Sequence, residues 1–173
     1  PLYSSAASDV YKRQSLYRSL VQPAIDGFCE LLQSVLYQFN RLSGEEQTRQ
    51  MLRRSNDEFP KVVDYLYDHF DEFKLLFTSG ENNAYQEFIH RVVELDTGCT
   101  AQYIEASGND AVSSGRLTPE LNHLLSSAFY TGMFEVVIHN MPKEQAMKHI
   151  QKMRRFYTAG WQTIFSSDGG EDC

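Results

Sequence analysis

Apolar residues between 118 and 165 recur at steps of three and four, the spacing that keeps one broad face of a helix apolar. They form two long stripes. The first opens at Thr118-Pro119, a capping hydroxyl followed by a proline whose missing N–H is harmless at the first helical position. It runs through Leu121, Leu124, Leu125, Ala128, Phe129, Gly132, Met133, Val136 and Val137. Asn140-Met141-Pro142 predicts a chain reversal, and the second stripe follows as Ala146, Ile150, Met153, Tyr157, Gly160, Trp161 and Ile164. Each glycine inside a helix costs roughly 1 kcal/mol against alanine. Close approach of another helix at Ala128, Gly132 and Gly160 would offset that cost, either within an ordinary antiparallel pair or in the interface between two copies of the chain.

Upstream, the same period predicts four more helices. Val21, Ala24, Ile25, Phe28, Leu31, Leu32, Val35, Leu36 and Phe39 describe about five turns, beginning at or kinked by Pro23 and ending near Asn40. Ser43 with Glu46 three residues on has the form of a capping box, here for a short polar helix through about Arg54. A third helix starts beside Pro60, with Val62, Val63, Leu66, Phe70, Phe73, Leu76 and Phe77 on one face, and stops at Ser79-Gly80. Asn82 or Asn83 caps a fourth, whose stripe of Phe88, Val92, Leu95, Cys99 and Tyr103 lasts to about Ala106. Ser107 to Arg116 reads as a loop. The class is all-α, a helical bundle of about six helices with no strand pattern.

The first fourteen residues fit none of these stripes. PLYSSAASDVYKRQ has no helical period and no apolar run of the signal-peptide kind, and it resembles the peptide translated from a sequencing adaptor. Residues 1–14 are accordingly read as an artefact or a disordered segment, residues 15–165 as one ligand-binding and dimerisation domain, and residues 166–173 as a flexible tail. With 173 residues, 42% of them hydrophobic and 13% aromatic, the chain can bury a core, and charges interrupt every apolar run before it reaches the roughly 20 residues of a membrane span. The net charge of −7 with interspersed signs gives no nucleic-acid surface. Cys29, Cys99 and Cys173 have no metal-ligand spacing and suit a reducing, cytoplasmic setting.

Two features bear on chemistry. Glu87 and His90 stand three apart, as in a di-iron bundle, but such a site needs a second pair and two more glutamates; a solvated surface pair is the plainer reading. Asp96 lies four residues after Val92 and three before Cys99, on or beside an apolar stripe. A carboxylate there must be hydrogen-bonded, paired or at a cavity. It is either an acid satisfied by a neighbouring helix or the polar anchor of a ligand site lined by Tyr65, His69, Phe88, Val92, Cys99, Tyr103 and Phe129. Neither a phosphate loop, a nucleophile elbow nor a His-Glu-x-x-His motif occurs, so no catalytic residue, metal or cofactor is assigned.

Four runs, Tyr65 to Phe77, Tyr85 to His90, Glu135 to His139 and Phe156 to Trp161, resemble in order and spacing the C-terminal domain of TetR-family transcriptional regulators over about residues 15–165. The resemblance implies a small-molecule effector pocket, and a last pair of helices that forms a four-helix bundle with its copy in a homodimer. Leu121, Leu125, Ala128, Gly132, Met133, Val136, Ile150, Met153, Tyr157, Gly160, Trp161 and Ile164 would then be the dimer surface. It also implies a DNA-reading helix-turn-helix that these residues do not contain, so that operator DNA is a partner of the whole regulator, a repressor, only through that other domain. A metal-binding or small-molecule-converting helical-bundle enzyme is the alternative.

Overall fold

The computed structural model describes residues 2–79 and 83–166, and those residues form six α-helices: α1 (Leu2–Asn40), α2 (Gly44–Asp68), α3 (Phe70–Thr78), α4 (Ala84–Ser107), α5 (Pro119–Ile138) and α6 (Lys143–Phe165). No strand occurs among them. No helix in the described residues is long and apolar enough to cross a membrane. Helix α4 packs on α1 and α5, while α3 bridges α1 and α5, and α6 lies along α2 and α5.

The core is centred on Phe28. Its fully buried ring meets Tyr65, Phe73, Phe88 and Phe134 edge-on, at centroid separations of 5.4 to 6.3 Å. Rings set at such angles place positive edges against negative faces, which adds about 0.5–1.5 kcal/mol per pair to their burial. Around them close Val21, Leu32, Val62, Val63, Leu66, Leu76, Val92, Met133 and Val137, all at 2% exposure or less. Five helices, α1 to α5, contribute to one aromatic knot because their 3.6-residue stripes converge there.

Where the sequence placed the ends of α5, the structure has them. Thr118 Oγ1 accepts from the Leu121 N–H at 3.2 Å with Pro119 just inside. At the other end Asn140 adopts φ 52°, and the Met141 and Asn140 N–H groups donate to the Val136 and Val137 carbonyls. That left-handed stop satisfies orphan carbonyls and turns the chain into Pro142 and α6. Lys74 Nζ donates to the Val137 and Ile138 carbonyls, tying α3 to the same negative helix end.

Elsewhere the expected boundaries shift. Instead of a short polar helix and a second starting beside Pro60, α2 is continuous from Gly44 through Pro60 to Asp68. A proline inside a helix costs about 3 kcal/mol, but complete burial of Val62, Val63 and Leu66 just beyond it outweighs that. The break falls at His69, where φ −118° and ψ 36° leave the helical region. The helix backbone of α1 begins at Leu2 rather than near Pro23 or Ser15, so residues 2–14 are helical and not irregular. That stretch holds neither glycine nor proline, and a helix already nucleated around Phe28 propagates at little cost. The Gly80 stop, Asn82, and all of the tail except Ser166 lie outside the described residues.

Candidate functional site

Beyond the aromatic knot, toward the C-terminal ends of α1 and α6, the helices do not close on one another. A cavity of about 240 Å³ remains, bounded by α1, α2, α4, α5 and α6. Most of its wall is aromatic: Phe39, Tyr103, Phe129, Tyr157, Trp161 and Phe165 face it, with Leu32, Leu36 and Leu125 between them. Phe129 meets Tyr157 at 5.1 Å, Trp161 stacks on Phe165 at 5.3 Å, and Tyr103 meets Phe165 edge-on at 5.1 Å.

Asp96 supplies the acid of this wall. Ser126 and Tyr130 are four residues apart on α5, one helical turn, so both hydroxyls point to the same spot on α4. Ser126 Oγ donates to one carboxylate oxygen at 2.6 Å and Tyr130 Oη to the other at 3.1 Å. The residue as a whole is half-buried, but its carboxyl group is enclosed, and desolvation raises its pKa against the opposing effect of the two hydroxyls. Tyr130, only 2% exposed, is pushed well above an ordinary tyrosine by its own burial and then by the neighbouring carboxylate. The acid is thus satisfied by the next helix, and its residue also borders a cavity.

Cys99 lies one turn further along α4. Its thiol donates to Asn40 Oδ1 at 3.2 Å, and burial, reinforced by Asp96, pushes it up to about 12. At neutral pH it is a thiol and a poor nucleophile.

The cation of the site was missed by sequence reasoning. Arg154 is 8% exposed, and its guanidinium lies over the Phe59 ring at 4.2 Å from the centroid. Burial lowers its pKa to about 10, which leaves it charged at neutral pH. The signal was present in the sequence: Arg154 stands four residues after Ile150 and three before Tyr157, on the edge of the α6 stripe rather than opposite it. Arg154, Phe59 and Thr158 also line an outer cleft of about 530 Å³ between α2 and α6, so they form the partition between cleft and cavity.

Of the ligand-lining residues expected from sequence, Asp96, Cys99, Tyr103 and Phe129 surround the cavity. Phe88 and Val92 are instead sealed in the core, and Tyr65 packs on Phe28, Phe73 and His69 at that other end. Phe88 and Val92 share a face of α4 with Asp96 but lie two turns and one turn nearer its N-terminus, where that face meets the aromatic core instead of the cavity, and Tyr65 precedes the break at His69 at the same end. Among the twelve residues expected at a dimer surface, Met133, Val136 and Ile150 are at most 5% exposed within a single subunit, so they have almost no area left to bury against another. Leu121, Leu125, Gly132, Met153, Tyr157, Trp161 and Ile164 are half-buried, and Ala128 and Gly160 are exposed. Glu87 is exposed, and His90 Nε2 lies 3.2 Å from Glu94, one turn on. No group of three or more potential metal ligands occurs among the described residues.

The class defined by this geometry is an all-helical bundle with an aromatic cavity carrying one acid and one cation. Comparison of the chain with family models, curated proteins and solved structures gives no match.

Proposed function

We propose that this chain is the effector-sensing and dimerisation domain of a TetR-like transcriptional regulator, acting as a repressor in the whole protein. The observation that carries the reading is the cavity: an aromatic enclosure, ending on a hydroxyl-held acid, reached between helices that also form the outer face of the bundle. Small-molecule sites are concave and mostly apolar, with a few polar groups that fix orientation. A volume of about 240 Å³ suits a small ligand.

The same helices supply the means of transmission. Helices α5 and α6 each carry cavity residues on one side and exposed apolar or small residues on another, with Leu124 63% and Phe156 76% exposed and Ala128 and Gly160 beside them. Under this reading two copies join along that outer side. A ligand that favours one packing of α5 and α6 shifts the relative placement of the paired subunits, and through them of DNA-reading domains outside residues 15–165. Operator affinity falls by the ligand's differential affinity for the two arrangements.

A titration with N-phenyl-1-naphthylamine, a neutral apolar probe that brightens when it leaves water, tests the site. Saturable binding is expected, and Leu125→Trp, which fills the cavity, abolishes it. Absence of saturable binding to the unmodified chain would remove the sensor reading.

A further inference from the structure

Charge inside the cavity is not distributed evenly. The two oxygens of Asp96 are occupied by hydroxyl donors from α5. Burial, moreover, favours the neutral form of this carboxyl group. Arg154 differs: it is more than nine-tenths buried, it stacks on Phe59, and no carboxylate whose side chain is described lies within ion-pair distance of it. Buried arginines are almost always paired, because an isolated cation loses hydration that a ring face returns only in part. The guanidinium has five N–H donors in a planar fork whose partner of choice is a carboxylate or a phosphate.

From this juxtaposition we infer that the cavity takes an amphipathic acid, its carboxylate held by Arg154 at the partition with the outer cleft and its apolar body lying among Phe39, Phe129, Tyr157 and Trp161. This rests on the cavity being a ligand site and adds the ligand's chemical class. The cleft between α2 and α6 gives the head group an approach from water, since Arg155, Gln151 and Gln162 share its lining with Arg154. The ring of Phe59 holds the guanidinium plane in place, so little rotamer freedom is lost when the fork closes on an anion. Asp96, already satisfied, is left as a structural acid deeper in the wall.

The test is displacement of bound N-phenyl-1-naphthylamine by three ten-carbon competitors of one shape class: decanoate, decanol and decyltrimethylammonium. Decanoate is expected to compete about tenfold or more better than decanol, the gain of a charge-assisted hydrogen bond in a dry site. Arg154→Gln is expected to bring decanoate down to the level of decanol, and Arg154→Lys to keep it ahead. Because the decanoate-to-decanol ratio is read within each variant, a general loss of folding does not imitate the result. Equal competition by decanoate and decanol, or preference for decyltrimethylammonium lost in Asp96→Asn, overturns the inference while leaving the ligand site standing. Failure of the probe itself to bind saturably overturns both.

Discussion

Ser126 donates to Asp96 at 2.6 Å across 30 positions of sequence, and with Tyr130 it fixes α5 on α4 at a carboxyl group that burial drives toward its neutral form. A carboxyl whose pKa is raised on folding binds its proton more tightly in the folded state. Stability from this group is therefore greatest below the ordinary aspartate pKa of 3.8, declines as pH rises from there to the raised folded value, and stays reduced above it. Asp96→Asn carries no charge at any pH. Its stability relative to the unmodified chain is expected to rise between pH 4 and pH 7, as read from urea unfolding of both proteins at each pH. A constant difference across that range would mean that the carboxyl group is not desolvated.

The Phe28 ring meets rings from four other helices. Phe28→Ala removes four edge-on contacts at once and is expected to cost about 3–5 kcal/mol in chemical unfolding. Phe156, 76% exposed, offers the converse case. Within one subunit Phe156→Ala should change stability by no more than about 0.5 kcal/mol. In the proposed dimer it shifts sedimentation equilibrium toward monomer, and an unchanged association constant would remove Phe156 from the interface.

Two helical glycines differ in the same manner. A Cβ at Gly27 would sit 2.0 Å from the Tyr65 hydroxyl, so the ring must leave its place between Phe28 and His69. Gly27→Ala is expected to lower stability by about 1–3 kcal/mol despite the better helix former. Nothing lies within 4 Å of a Cβ at Gly160. Gly160→Ala should therefore stabilise a single subunit by up to about 1 kcal/mol. If close helix approach between copies is the reason for that glycine, Gly160→Leu weakens self-association without unfolding the chain, which sedimentation and circular dichroism together would show.

The all-helical class, the Thr118-Pro119 start of α5 and its reversal at Asn140 were legible because each depends on short-range geometry: a capping hydroxyl, a fixed proline φ and a left-handed asparagine. The continuity of α2 through Pro60 and its break at His69 were not. Local propensity favours the opposite at both positions, and tertiary burial of Val62, Val63 and Leu66 decides the matter. Asp96 stood out because an acid on an apolar stripe is rare. Its partners Ser126 and Tyr130 did not, since a hydroxyl within a stripe is unremarkable until the helix that faces it is known. Phe88 and Cys99 share one stripe, yet one enters the core and the other reaches the cavity; period alone gives the face, not what lies opposite. Met133 and Ile150 were drawn outward by the same limitation, because an apolar stripe that serves its own core reads like one that serves a partner.

Trp161 is the sole tryptophan of the chain and lies in the cavity wall, so its emission reports on occupancy directly. Titrating N-phenyl-1-naphthylamine while following energy transfer from Trp161 is the most direct measurement of the central claim, that this cavity is a ligand site. Transfer is expected to saturate at one probe per chain and to vanish in Leu125→Trp once the added tryptophan's own emission is subtracted. Trp161 emission that is unchanged, or that falls in linear proportion to probe with no plateau, would contradict it.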